Sequence, residues 1–162
     1  MFAGTGHLPR DLLADHGIAV TNASGVHGPN IAEHVVGSMI AHARQFHRAY
    51  RQQTRREWRT YETTELYDST VSVVGLGAIG RAVVDRLEAF DVDTVGVRYS
   101  PEKGGPTDEV YGFDEFHEAV TGAEYVVLAC PLTETTRGLV DADALRTMRA
   151  DAVLVNIARG PI

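Results

Sequence analysis

The chain has 162 residues, of which 44% are hydrophobic and 23% charged, the balance of one globular domain of ordinary size. Its 22 acids against 15 bases give a net charge of −7, which disfavours nucleic acid and anionic membranes as partners, and the lone Cys130 excludes an internal disulfide or a cysteine-built zinc site. No apolar run approaches the roughly 18 residues that cross a bilayer, and the opening MFAGTGHLPRDLL has neither a basic nor an apolar leader region, so a cytoplasmic protein is expected.

In chain order, Pro9 to His16 reads as a short helix that Gly17 ends, followed by an extended Ile18-Ala19-Val20-Thr21 and a loop with Gly and Ser up to Asn30. A helix is expected from about Asn30 to about Arg51. Along it Ile31, Val35, Met39, Ala43, Phe46 and Tyr50 recur at three- and four-residue spacings, and Asn30 with Glu33 resembles a capping box. Beyond the polar stretch around Trp58, β-branched runs alternate with helical segments. Strands are expected at Val71 to Val74, Thr94 to Val97, Tyr125 to Ala129 and Ala152 to Ile157, and helices at Ala78 to Phe90, Asp114 to Val120 and Asp141 to Met148. The runs YVVLA and AVLVNI lack period-two alternation, as strands do when both faces of a parallel sheet are covered, and the order of element types is that of βαβ units. The last strand is expected to be an exposed apolar edge.

Between the first of these strands and its helix lies Gly75-Leu76-Gly77-Ala78-Ile79-Gly80. A lone GxGxxG is weak, but directly after VSVV and opening an amphipathic helix it has the context of a dinucleotide fingerprint. Gly75 serves the tight turn, Gly77 lets backbone approach a pyrophosphate, and Gly80 lets helix and strand pack closely, while the first-turn N–H groups face the phosphates. The residue that reads the adenosine ribose is expected about 20 residues on, where this chain has Val97-Arg98-Tyr99-Ser100 and no acid. Arg98 suits a 2′-phosphate, so NADP is expected in preference to NAD; the alternative is a solvated loop arginine.

SGVHGPNIAEHVVGSMI, VSVVGLGAIGRAVVDRL, ACPLTETTRGL and VNIARG, in that order, resemble the signature segments of the D-2-hydroxyacid dehydrogenase family, and the similarity runs over the whole chain. The resemblance implies an α/β fold. Residues 30–162 would form a Rossmann-like, doubly wound parallel sheet that is incomplete at its C-terminus, and residues 1–29 the remnant of a second, flavodoxin-like substrate domain. It implies hydride transfer between NAD(P)H and a small 2-oxo or D-2-hydroxy acid, and a homodimer for the full-length protein. Carried over by residue, the turn Ala3-Gly4 would bind the substrate carboxylate. Cys130, Pro131, Leu132 and Thr136 would lie along the cofactor, and the backbone at Ile157 and Ala158 would meet the carboxamide side of the nicotinamide. Arg159 would hold the substrate carboxylate and polarise its carbonyl, which suits a planar, permanently charged donor.

In members of the family a glutamate and the acid/base histidine it orients follow the arginine segment, and this sequence ends at Ile162. None of His7, His16, His27, His34, His42, His47 or His117 takes that place, so these residues alone are expected to be inactive. His34, His42 and His47, on or near the first long helix, suit an exposed or interface role better than metal binding, and no metal is expected. A non-catalytic dinucleotide-sensing or protein-interaction module on the same fold is the rival reading. The arginines Arg44, Arg48, Arg51, Arg55, Arg56 and Arg59 suit a solvated or dimer-facing helix. Lys103 is the sole lysine beside fourteen arginines, which fits either a GC-rich genome or the acidic surface of a halophile.

Overall fold

The computed structural model describes residues 8–23 and 25–162. After α1 (Arg10–Asp15), α2 (Gly28–Ala43) and α3 (Phe46–Arg55) come β1 (Thr70–Val74), α4 (Ala78–Leu87), β2 (Asp93–Val97), β3 (Glu109–Tyr111), α5 (Phe116–Val120), β4 (Tyr125–Leu128), α6 (Ala142–Thr147) and β5 (Val153–Asn156). The strands form one sheet in the order β3-β2-β1-β4-β5, with every neighbouring pair parallel. This is the expected doubly wound, Rossmann-like architecture.

The central strands explain why their sequences do not alternate. Every residue of β4 is buried, as are Val71 to Val74 of β1, because helices cover both faces. Val71 and Val73 pack with Ala32, Val35 and Met39 of α2 and Val83, Val84 and Leu87 of α4. Val74 turns the other way, into a layer built with Phe116 and Val120 of α5 and Ala144 of α6. Ser72 alternates onto that second face, where its buried hydroxyl has no hydrogen-bond partner among the described residues. The edge strand β5 is half-covered, with Leu154 39% exposed, in line with the apolar edge expected there.

The expected helix over 30–51 is two helices. Gln45 between them adopts a left-handed conformation (φ 51°), and its side-chain amide donates to the Glu62 carbonyl at 2.7 Å. The returning chain closes the end of α2, since the Thr64 N–H donates to the Ala43 carbonyl at 3.0 Å. Ile31 to Ala43 therefore face the core, whereas Phe46 (54% exposed) and Tyr50 (71%) do not continue that stripe. The expected capping box also fails, because α2 starts at Gly28 with His27 as its N-cap and Asn30 lies inside the helix. The boundary drawn between residues 29 and 30 thus falls within α2, which packs against α4 and the sheet. No strand forms at Ile18 to Thr21, while β3, three residues carrying Glu109, had no apolar run to announce it. Ala3, Gly4 and His7 lie outside the described residues.

Candidate functional site

The strand register sets Val74 opposite Val97 on one side and Leu128 on the other, and Leu128 opposite Asn156. One residue further on, Arg98, Gly75, Ala129 and Ile157 form a row across the C-terminal edge of the sheet. Backbone bonds still tie this row: Gly75 N–H donates to the Val97 carbonyl (2.7 Å), Ala129 to Val74 (2.8 Å) and Ile157 to Leu128 (3.2 Å). With neighbouring strands about 4.8 Å apart, the row spans about 14 Å. Strand order reverses between β1 and β4, and the crevice outside the strand ends at such a switch point is where open α/β sheets take their ligands.

The three motif glycines have three different reasons. Gly75 has φ +102°, and a Cβ there would stand 2.7 Å from the Cys130 backbone, so both its conformation and its neighbour require glycine. A Cβ on Gly80 would stand 2.0 Å from the Gly75 carbonyl oxygen, because α4 rests directly on the turn. Gly77 is the N-cap of α4 with an ordinary φ of −79°, and a Cβ there would meet nothing within 4 Å. Among the described residues its glycine answers to no neighbour. It leaves open the space in front of the first-turn N–H groups, which by helix geometry have no partner within α4. With the positive end of the helix dipole, that cradle fits the pyrophosphate of a dinucleotide. Ala78 is exposed and Ile79 half-buried at its rim.

Arg98 is half-buried at the end of β2, where its N–H donates to the Tyr111 carbonyl at 3.0 Å. Its guanidinium donates to the Gly104 carbonyl, tying β2 to the turn Pro101–Lys103. One guanidinium nitrogen is thus tied to its own turn, and the side chain keeps further donors for a second partner. Tyr99 is exposed beside it, and Ser100 is the N-cap of the turn. Leu76, which the sequence reading had only as a motif spacer, is buried under this segment: a Cβ on Gly96 or Gly105 would collide with its side chain.

In the loop after β4 two of the residues expected along the cofactor are buried. Thr136 is 2% exposed; its hydroxyl donates to the Pro131 carbonyl (2.6 Å) and accepts from the Thr133 N–H (2.8 Å). These bonds hold the loop's shape from inside. The Cys130 side chain is buried too, and burial pushes its thiol above the usual cysteine range. It behaves as a small apolar residue whose backbone abuts Gly75. Exposed Pro131 and half-buried Leu132 are what the loop offers outward.

After β5, the Ile157 N–H is used by Leu128 and the Ala158 N–H by the Asn156 side chain at 2.9 Å. Any backbone contact these two residues make with a nicotinamide therefore comes from their carbonyls. Arg159 is exposed, with one guanidinium nitrogen donating to the Ala158 carbonyl at 2.7 Å. Asn156, whose amide spans this turn, was missed from the sequence; its place three residues before Arg159 in VNIARG was the signal available.

Sheet order, glycine turn and helix N-terminus together define a dinucleotide-binding α/β domain of the Rossmann kind. The family model described as D-isomer specific 2-hydroxyacid dehydrogenase, NAD binding domain, matches residues 36–162, and the chain belongs to that family. It is 32% identical to D-3-phosphoglycerate dehydrogenase of Methanocaldococcus jannaschii over 97% of this chain and 30% of that protein. A D-isomer specific 2-hydroxyacid dehydrogenase family protein from Aeromonas salmonicida superposes with a TM-score of 0.83 at 27% identity, over 99% of this chain and 51% of that one. NAD-dependent formate dehydrogenase of Staphylococcus aureus, solved in complex with NAD, superposes at 0.81 with 28% identity, over 98% and 48%. The chain thus spans about half or less of the length of these relatives.

Proposed function

We propose that the C-terminal edge of this sheet holds a nicotinamide dinucleotide, NADP in preference to NAD, and that the protein transfers hydride between it and a small 2-oxo or D-2-hydroxy acid. The observation that carries this reading is Gly77, a glycine at the N-terminus of α4 whose added Cβ would meet nothing within 4 Å among the described residues. When bound, the nicotinamide supplies or accepts the hydride. Around it, the Gly75 to Gly80 turn holds the phosphates, Arg98 with Tyr99 and Ser100 holds the adenosine 2′-phosphate, and Pro131, Leu132 and the carbonyls near Ile157 flank the far end. Arg159 grips the substrate carboxylate. Support for the NADP preference is the lack of an acid at the end of β2, where a carboxylate would repel the 2′-phosphate.

No histidine follows Arg159 in these residues. His16 bonds the Leu12 carbonyl at 2.8 Å, His42 lies edge-on to Tyr125, and His117 is on α5, so none of the three supports a role beside Arg159. Residues 1–162 alone therefore bind dinucleotide without turnover, since a positioned general acid is worth about 10²- to 10⁴-fold. Following NADPH absorbance with glyoxylate, hydroxypyruvate and longer 2-oxo acids tests this: no oxidation is expected from these residues. Ordinary dehydrogenase rates would mean that a group within them delivers the proton.

The homodimer is proposed through α3 and the segment after it, where Phe46, Tyr50 and Trp58 (97% exposed) stand among arginines beside a groove of about 880 Å³. Sedimentation of the parent and of Trp58→Glu checks this, the variant being expected as a monomer.

A further inference from the structure

Arg159 stands on a turn of a few residues between β5 and the end of the described chain, and its side chain is exposed. Such a side chain aims reproducibly only when the backbone beneath it is fixed. Two features fix it. Ile162 is buried in the α5 and α6 layer, and its N–H donates to the Arg159 carbonyl at 3.2 Å. The same end of the chain is tied to the loop after β4, with Gly138 N–H donating to the Pro161 carbonyl and Val140 N–H to the Ile162 carbonyl, each at 2.9 Å. From the other side Asn156 closes the turn: its Oδ1 accepts from the Ala158 N–H at 2.9 Å and its Nδ2 donates to the Arg159 carbonyl at 3.1 Å.

We infer that Asn156 is a positioning residue, whose amide sets the direction from which Arg159 meets a substrate carboxylate. This rests on the reading of Arg159 as the carboxylate ligand. The pattern demands an amide. One oxygen must accept and one nitrogen must donate, so aspartate supplies only the acceptor and alanine neither, and a flipped amide would set donor against donor and carbonyl against carbonyl. Glutamine carries the right groups on a stem one methylene too long for contacts two and three residues ahead. Among the described residues no other side chain bonds the Arg159 carbonyl, which otherwise accepts only the backbone N–H of Ile162.

The test uses the chain saturated with NADP and glyoxylate as the probe, comparing the parent with Asn156→Ala, Asn156→Asp and Arg159→Ala. Three quantities are read: glyoxylate affinity, NADP affinity and hydrogen exchange of the Ala158 amide. In Asn156→Ala, glyoxylate binding is expected to weaken on the order of tenfold, as small misplacements of a binding group do, and Ala158 exchange to quicken, with NADP affinity unchanged. Asn156→Asp keeps the acceptor, so it is expected to retain slow Ala158 exchange yet lose glyoxylate affinity, which separates aiming of Arg159 from mere folding of the turn. If Asn156→Ala and Asn156→Asp bind glyoxylate as the parent does while Arg159→Ala does not, the inference is overturned and Arg159 keeps its role. If Arg159→Ala also binds as the parent does, the reading of Arg159 falls and this inference with it.

Discussion

The second and third motif glycines predict opposite outcomes for the same added methyl group. Gly80→Ala sets a Cβ against the Gly75 carbonyl, backbone against backbone, and neither can yield cheaply. A loss of about 3 kcal/mol, or a melting temperature lower by about 10 °C, is expected by circular dichroism. Gly77→Ala meets only open space, so it is expected to melt as the parent does while NADPH binding weakens tenfold or more, about 1.4 kcal/mol. A third residue, Ser72, keeps a buried hydroxyl unpaired among the described residues in an apolar layer, and removing it is expected to help: Ser72→Ala should gain about 1 kcal/mol, or about 2–4 °C, in a thermal melt. At Arg98 a charge-assisted bond worth about 1.5–3 kcal/mol sets a preference for NADPH over NADH of roughly 10- to 150-fold. Arg98→Asp is expected to reverse that order in a fluorescence titration. The glycine motif was legible because its reasons lie within a few residues of chain. The loop-shaping bonds of Thr136 and the whole role of Asn156 were not legible, because only the folded loops bring their partners together.

Elements with both faces covered announced themselves, since β4 is apolar throughout and β1 nearly so, and their ends differ from expectation by one residue. The break between α2 and α3 did not. It depends on Gln45 in a left-handed conformation and on a returning segment nineteen or so residues away in sequence, which no local pattern reports. The short β3 is likewise held by a contact outside any hydrophobic period: both the N–H and the hydroxyl of Thr94 donate to one oxygen of Asp108, at 2.8 and 2.9 Å, fastening β2 to the segment that enters β3. These bonds hold the Asp108 carboxyl below its ordinary value of 3.8. Because the folded value is the lower one, its stabilising contribution is complete above 3.8 and is lost as the pH falls from there through the depressed value. Hydrogen exchange of the Thr94 amide is expected to quicken across that acid window in the parent. In Asp108→Asn, that acid-dependent step is expected to vanish, because the amide does not titrate there.

For the whole molecule, a net charge of −7 sets repulsion among surface acids against ion pairs that are mostly solvent-exposed, such as Arg44 with Glu65 and Arg59 with Glu57. Exposed pairs contribute about 0–1 kcal/mol each, so screening costs little there and relieves the larger repulsion. The melting temperature is expected to rise between dilute buffer and molar potassium chloride, where the Debye length is about 3 Å. A flat or falling curve would leave genome composition as the reason for fourteen arginines and one lysine. The central claim concerns one edge of the sheet, and an amide-resolved NMR titration of the chain with NADPH tests it most directly. The expected result is saturable shifts at the amides of residues 75–80, 98–100, 132 and 157–159, all at the C-terminal ends of β1, β2, β4 and β5. Shifts confined to the groove beside α3, or none at millimolar NADPH, would contradict it.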